Sequence, residues 1–535
     1  MVLIPDSDIY VVSDLHLGEG WQERKQRYSR LETFFYDNEF RNFIHAILYK
    51  QSERSKPCTL VLNGDIFDFL SVVRVPDAKE SRKWGLRISR SEQKFGLDTS
   101  AAKAEWKMAR ILRGHRNFVV ALAELLAAGN AVVVVRGNHD LELHWDVVQQ
   151  RFMNEIAKIA EEEGFVSRGE TLLPKIAFRQ WFYYEKSRFY IEHGNQYEAT
   201  NAVRFVLNPV LPSERQQLEG ASLDYPMGSL FVRYLYNKLK LLDPFSTHFV
   251  TLAQYIRLTY SHNLLDLVRT GVFHFPFFLR AIKDARVFEK QGMQSIQDKH
   301  EAGMQSLGRE SGLGDKLVQI EQLMSRPAGT TKPALLKEML KPAFRAALFF
   351  LAVALTFVCT WFLLFATIQQ ADVLSGSLLA DVGRSVLTGI LVLTTLILLF
   401  LSFSFLKRGL HRKKDPTVSD CFSRAESIAE LLNVPFVSMG HTHTADHRLF
   451  TQVNGCYINT GTWIPHPGPW DTIKSNARQF TFARLADNDM ELLRWDDATR
   501  CWEAVTLLEE YTPSALERLL ADPDRSEGSS GADDV

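Results

Sequence analysis

Five short polar islands, each placed directly after an apolar, β-branched run, constrain this chain more than any other feature. They are Asp14-Leu15-His16, Gly64-Asp65-Ile66-Phe67-Asp68, Gly137-Asn138-His139-Asp140, His193-Gly194-Asn195 and Gly440-His441-Thr442-His443. The runs before them, at 9–13, 59–63, 132–136, 189–192 and 436–439, read as short strands. Helical stretches at 116–128, 146–163 and 419–432 alternate with them, and further strands are expected at 457–460, 479–485 and 490–495. Such alternation predicts an α/β fold with functional loops at the carboxyl ends of strands.

Each island alone is weak, because a short Asp/His pair caps many turns and Gly-Asp is ordinary turn chemistry. All five in order, each closing a strand, point to a paired-metal site. A carboxylate can bridge two cations, a role that fits Asp65, while imidazoles and other oxygens complete the two shells. Mixed His, Asp and Asn ligation suits Mn, Fe or Zn better than the all-oxygen shells of Ca or Mg. Two ions about 3.5–4 Å apart can hold a bridging hydroxide and stabilise in-line displacement at phosphorus. Asn138 supplies a neutral oxygen. His139 is placed to contact phosphoryl oxygens or to protonate a leaving group. Asp140 is expected to orient that imidazole and raise its basicity. His144, His447 and His466 lie near the islands but outside the pattern, and they are left out of the site.

The second strong feature is a pair of charge-free segments, residues 346–368 and 386–406. Each exceeds the roughly 20 residues that a helix rising 1.5 Å per residue needs to cross a ~30 Å hydrocarbon core. Lys337, Lys341 and Arg345 precede the first; Lys407, Arg408, Arg412, Lys413 and Lys414 follow the second. The connection carries Arg384 against Asp372 and Asp381. The positive-inside rule then puts both outer ends of a two-helix transmembrane hairpin in the cytoplasm. An even number of spans also returns the chain to the side it left, as islands on both sides of the hairpin require.

These features divide the chain into a first core part (1–200), a helical cap or insertion (201–341), the hairpin (342–412), a second core part (413–520) and a disordered tail (521–535). Within the insertion, aromatics such as Phe231, Tyr234, Phe273 and Phe278 interleave with Arg233, Lys238, Arg257 and Arg280. That texture fits an interfacial cap that receives a lipid chain, or an ordinary helical subdomain. Residues 291–331 read as a polar connector or exposed helix. With 62 basic and 63 acidic residues the chain is not globally basic. No continuous basic track with stacking aromatics is visible, so no nucleic-acid partner is expected. The five scattered cysteines read as reduced thiols, and residues 1–7 carry no secretory-signal pattern. The expectation is an integral membrane protein, of the inner membrane if bacterial, with a cytoplasmic catalytic face.

The islands resemble the calcineurin-like metallophosphoesterase superfamily, whose pattern D-x-H, G-D-x-x-D, G-N-H-D/E, H and G-H-x-H is met block for block. The resemblance spans about residues 9–195 and 435–495 and implies a four-layer αββα sandwich. It implies one ion held by Asp14, His16, Asp65 and His443, and a second held by Asp65, Asn138, His193 and His441. It further implies that His139 acts on the substrate, with Asp68 in a supporting place. Mn is the first expectation for the two divalent ions, with Fe or Zn as alternatives. The segment Asn459-Thr460-Gly461-Thr462-Trp463 resembles the N-T-G-S-W stretch that follows G-H-x-H in such proteins.

The implied reaction is hydrolysis of a phosphoester or pyrophosphate bond. Membrane tethering favours an amphiphilic, phosphorylated substrate, and basic residues such as Arg82, Arg90, Lys103 and Lys107 can face anionic headgroups or form a solvated helical face. A functional echo is found in the UDP-2,3-diacylglucosamine hydrolases, which cleave a lipid-linked pyrophosphate under a helical cap. Those enzymes carry Arg where this chain has His139, and they lack the membrane hairpin. Phosphatase or phosphodiesterase action on a soluble nucleotide or phosphoprotein is a second reading. A non-catalytic membrane scaffold is a third, although scaffolds of this fold usually lose ligands and here every position is filled.

Overall fold

The computed structural model describes residues 4–167, 169, 172–211, 220–237, 293–325, 416–464 and 479–505, with single residues between 355 and 397. Apolar runs form the central strands. β1 (Asp8–Val12) is followed by a small hairpin of β2 (Trp21–Gln22) and β3 (Arg27–Tyr28), then by β4 (Cys58–Asn63), β5 (Ala131–Val135) and β6 (Ile176–Arg179). β1, β4, β5 and β6 pair in parallel, with Val11 against Val61 and Val61 against Val133. On its other edge β1 pairs antiparallel with β12 (Thr481–Ala486), which continues into β13 (Asp489–Asp496) and β14 (Cys501–Ala504). The last part of the chain thus completes the sheet that the first part begins.

A second sheet runs in the order β10 (Asp446–Leu449), β11 (Cys456–Asn459), β9 (Phe436–Met439), β8 (Phe189–Glu192) and β7 (Phe182–Glu185). Its three inner strands are parallel and its two edges antiparallel. The two-residue period of a strand sorts side chains into separate cores. Ile9, Val11, Val61 and Val133 meet Phe189, Ile191 and Ile458 between the sheets. Tyr10, Val12, Leu60, Leu62 and Val134 point the other way.

The helices are α1 (Asp37–Arg54), α2 (Ala78–Trp84), α3 (Arg90–Phe95), α4 (Ala101–Gly114), α5 (Arg116–Ala127), α6 (Asp146–Glu162), α7 (Met227–Phe231), α8 (Met293–Ser311), α9 (Lys316–Leu323) and α10 (Pro416–Leu432). Helices α1, α4, α5 and α6 cover the outer face of the first sheet through Phe43, Met108, Phe118 and Phe152. α10 covers the second, packing Ala425 and Ile428 against Val437, Met439 and Tyr457. Parallel strands buried on both faces explain why their sequences read as unbroken apolar runs.

Three expectations change. Of the two readings of residues 291–331 the helical one holds for α8 and α9, but they are not wholly exposed: with Leu313 between them they bury Met304, Leu317 and Ile320 in the core that includes α10. Their apolar residues recur at helical spacing inside an otherwise polar stretch. Lys103 and Lys107 do not face headgroups: both are buried, Lys103 on Glu92 and Asp98, Lys107 on Glu142. Arg233 is likewise buried and donates to the Gly96 carbonyl.

Most of both charge-free segments, residues 238–292 and the tail lie outside the described residues. Among the described residues no helix is long and apolar enough to cross a membrane.

Candidate metal centre

Strands β1, β4, β5, β8 and β9 deliver all five islands to one place. The backbone stitches them together: Asp14 N donates to Gly64 O, and Gly440 N donates to His193 O. His139 N donates to Asp65 Oδ1 at 2.7 Å, and His441 N to Asp14 Oδ2 at 3.0 Å. The glycines permit this closeness. A Cβ on Gly137 would lie 2.2 Å from Asp65 Oδ1, and one on Gly440 would lie 2.5 Å from Asp14 Oδ2. The 459–463 segment braces the same loop, with Thr462 Oγ1 donating to Asp14 O and Asn459 Nδ2 to Gly440 O.

Among the described residues three groups of side chains come within metal-holding distance: Asp14, His16 and His443; Asp65, His193 and His441; and His16, Asp65 and His139. In the first, His443 Nε2 is 3.2 Å from Asp14 Oδ1 and 3.0 Å from His16 Nε2. In the second, His193 Nε2 is 3.2 Å from Asp65 Oδ2. Asp65 belongs to the second group and, with His16 and His139, to the third. Among three buried polar atoms here that lack a well-formed hydrogen bond, Asp14 Oδ1 and His193 Nε2 face only another candidate ligand, and Asn138 Oδ1 meets no donor. Leaving such atoms unsatisfied costs about 1–3 kcal/mol each, and their chemistry is that of a divalent-cation shell. The residues present fit bound metal.

Residues 7–219 match the family model for the calcineurin-like phosphoesterase. The chain carries a calcineurin-like phosphoesterase domain. That family implies metal-dependent phosphoesterase activity, and the clusters are candidate ligand sets for it. No curated protein matches the chain significantly. The matched stretch ends before Gly440; His441 and His443 reach the other islands from the loop that follows β9 of the second sheet.

Several candidate ligands of this domain have left-handed backbone. Asp14, His16, Asp65, His441 and His443 all have φ between 52° and 68°. That left-handed region costs a side-chain-bearing residue roughly 1–2 kcal/mol, and such strain gathers where function over-determines geometry.

Electrostatics separate the clusters. Burial, followed by the neighbouring His139 and His443, pushes His16 down to about 3. Burial opposes a charge on His193 as well, but Asp65 and Asp14 outweigh it and lift that imidazole to about 10. Burial would raise both carboxylates, yet His443 and His193 hold Asp14 at about 2, and His193 and His139 hold Asp65 well below its ordinary value.

His139, with 20% of its side chain exposed, is more open than the buried histidines beneath it. Its Nδ1 lies 3.0 Å from Asp68 Oδ1. Asp68, not Asp140, is thus the carboxylate that orients this imidazole. Asp140 is turned inward instead, accepting from Gly137 N at 2.6 Å and Ile66 N at 2.9 Å, so it clamps two islands together. Burial and the nearby Asp65 raise its carboxyl to about 7. Sequence spacing missed Glu198, whose Oε2 lies 2.7 Å from His441 Nε2. It follows His193 by five residues and carries no periodic signal. His144 and His447 join none of the clusters, and His466 lies outside the described residues.

Proposed function

We propose that this protein hydrolyses a phosphoester or pyrophosphate bond with two divalent ions, Mn foremost, on a membrane-associated or lipid-linked substrate. The observation that supports the reading is the position of Asp65, which comes within metal-holding distance of His16 and His139 on one side and of His193 and His441 on the other. When bound, paired divalent ions activate water and neutralise charge on the phosphoryl group. Asp14, His16 and His443 would hold one ion; His193, His441 and the amide oxygen of Asn138 would hold the other. His139, steadied by Asp68, is the group open enough to meet substrate, where it donates to a phosphoryl oxygen or protonates the leaving group. Asp140 keeps its loop closed on the Asp65 loop.

The membrane part of the reading rests on a separate observation. Leu355, Val358, Phe362, Val386, Ile390, Leu393 and Ile397 are helical, and each is about half or more exposed. Trp361 and Val392 in the same segments, and Val382 just before the second, are exposed as well, and exposed apolar residues in such number need a non-aqueous neighbour. A bilayer at residues 346–368 and 386–406 meets that need, with the catalytic domain on the cytoplasmic side. Sedimentation with membranes after a carbonate wash is the expected outcome; recovery in the supernatant contradicts anchoring.

The substrate test is a panel of UDP-diacylglucosamine, phospholipid monoesters, cyclic nucleotides and phosphopeptides assayed with Mn²⁺. Preference for an amphiphilic member supports the proposal. A preference for the cyclic nucleotides or phosphopeptides contradicts it.

A further inference from the structure

Glu198 belongs to none of the ligand sets above, yet it is held against one of them. Its side chain is two-thirds buried, with 32% exposed. Thr200 Oγ1 donates to Oε1, and Asn201 Nδ2 donates to Oε2 at 2.9 Å. His441 Nε2 meets the same Oε2 at 2.7 Å. The braces are themselves braced. Gly228 N donates to Thr200 O, and a Cβ on Gly228 would lie 2.1 Å from Asn201 Oδ1. Ser229, the next residue of α7, reaches the Asn138 carbonyl at 3.3 Å.

Both oxygens of Glu198 are engaged by donors, which leaves this carboxylate poorly placed to be a ligand itself. An imidazole that binds metal through one nitrogen usually donates the other N–H to a carboxylate, which fixes the tautomer and raises the basicity of the ligating nitrogen. With Nε2 committed to Glu198, Nδ1 is the nitrogen that His441 has left to offer.

We propose that Glu198 is a positioning residue for His441: it accepts the Nε2–H, presents Nδ1 to the second ion and strengthens its hold there. The proposal rests on the two-metal reading, and its test keeps the two apart. Mn²⁺ is titrated calorimetrically into the metal-stripped full chain. Wild type taking up two ions keeps the two-metal reading, and fewer than two overturns that reading independently of Glu198. In Glu198→Ala one ion binds as in wild type and the other weakens by about 10–100-fold. Glu198→Gln keeps an acceptor oxygen for the Nε2–H, so its second ion stays within about fivefold of wild type, the difference between a charged and a neutral acceptor. Thermal unfolding of the stripped variants, matching wild type, shows that the fold is intact. Wild-type binding of both ions by Glu198→Ala overturns the positioning role. Equal weakening in both variants also overturns it, because the carboxylate would then act as a ligand or a bare charge.

Discussion

The two clusters beside Asp65 are built from the same side chains in opposite surroundings. His16 is held neutral, down to about 3, first by burial and then by the neighbouring His139 and His443, which outweigh Asp65 and Asp68. His193 looks onto Asp65 and Asp14 and is lifted to about 10. In the metal-free protein the first cluster therefore offers His16 as a ready lone pair at neutral pH. The second holds a proton that an arriving cation must displace. Residue type alone does not set charge state; the neighbours each histidine meets do. The expected consequence is ordered loading, with the first cluster filling before the second.

The harshest way to break this comparison is to remove the residue both clusters share. Asp65→Ala should lower hydrolysis of bis-p-nitrophenyl phosphate in Mn²⁺ to the uncatalysed rate; full activity would end the two-metal account. His139→Ala should cost about 10²–10⁴-fold in kcat while the Mn²⁺ stoichiometry stays at the wild-type value. Loss of an ion in that variant would move His139 from the substrate side into the ligand shell, as its place beside His16 and Asp65 allows.

A pH series sharpens the contrast further. Because His193 is protonated below about 10, affinity at the second cluster should rise with pH, by up to about tenfold per unit for one displaced proton. The sign is fixed by the raised value: cation binding competes with the proton, and competition fades as pH approaches 10. His16, neutral above about 3, has no proton for a cation to displace in that range. Mn²⁺ isotherms at about pH 6.5 and 8.5 read both, and parallel slopes would erase the distinction.

The mildest effect on the metal centre is expected from a third buried histidine. Burial opposes a charge on His115, but Asp37 and Glu32 lift it to about 10, outside both clusters. Its folded value lies above the unfolded one. Its contribution to stability is therefore complete below about pH 6.5 and lost as pH climbs through about 10. His115→Ala should destabilise the fold by about 3–5 kcal/mol in denaturant melts, with Mn²⁺ stoichiometry unchanged.

The strand-end islands were legible because each follows an apolar run whose period and length mark a strand. β1, β4, β5, β8 and β9 all lie within one residue of the expected bounds. What the sequence hid is set by contacts across the fold. The partner of His139 is Asp68, 71 residues earlier, and spacing pointed to the adjacent Asp140 instead. Glu198 meets His441 across 243 residues of chain. The left-handed backbone of Asp14, His16, Asp65, His441 and His443 was only weakly signalled, since aspartate and histidine are enriched in that region but most of them do not adopt it. The apolar stripe of α9 was masked by the polar residues around Leu317 and Ile320.

The claim that two ions flank Asp65 is tested most directly by anomalous scattering from crystals grown with Mn²⁺. The account predicts two peaks about 3.5–4 Å apart, one among Asp14, His16 and His443 and the other among Asn138, His193 and His441, with the Asp65 carboxylate between them. A single peak, or none beside Asp65, would contradict it.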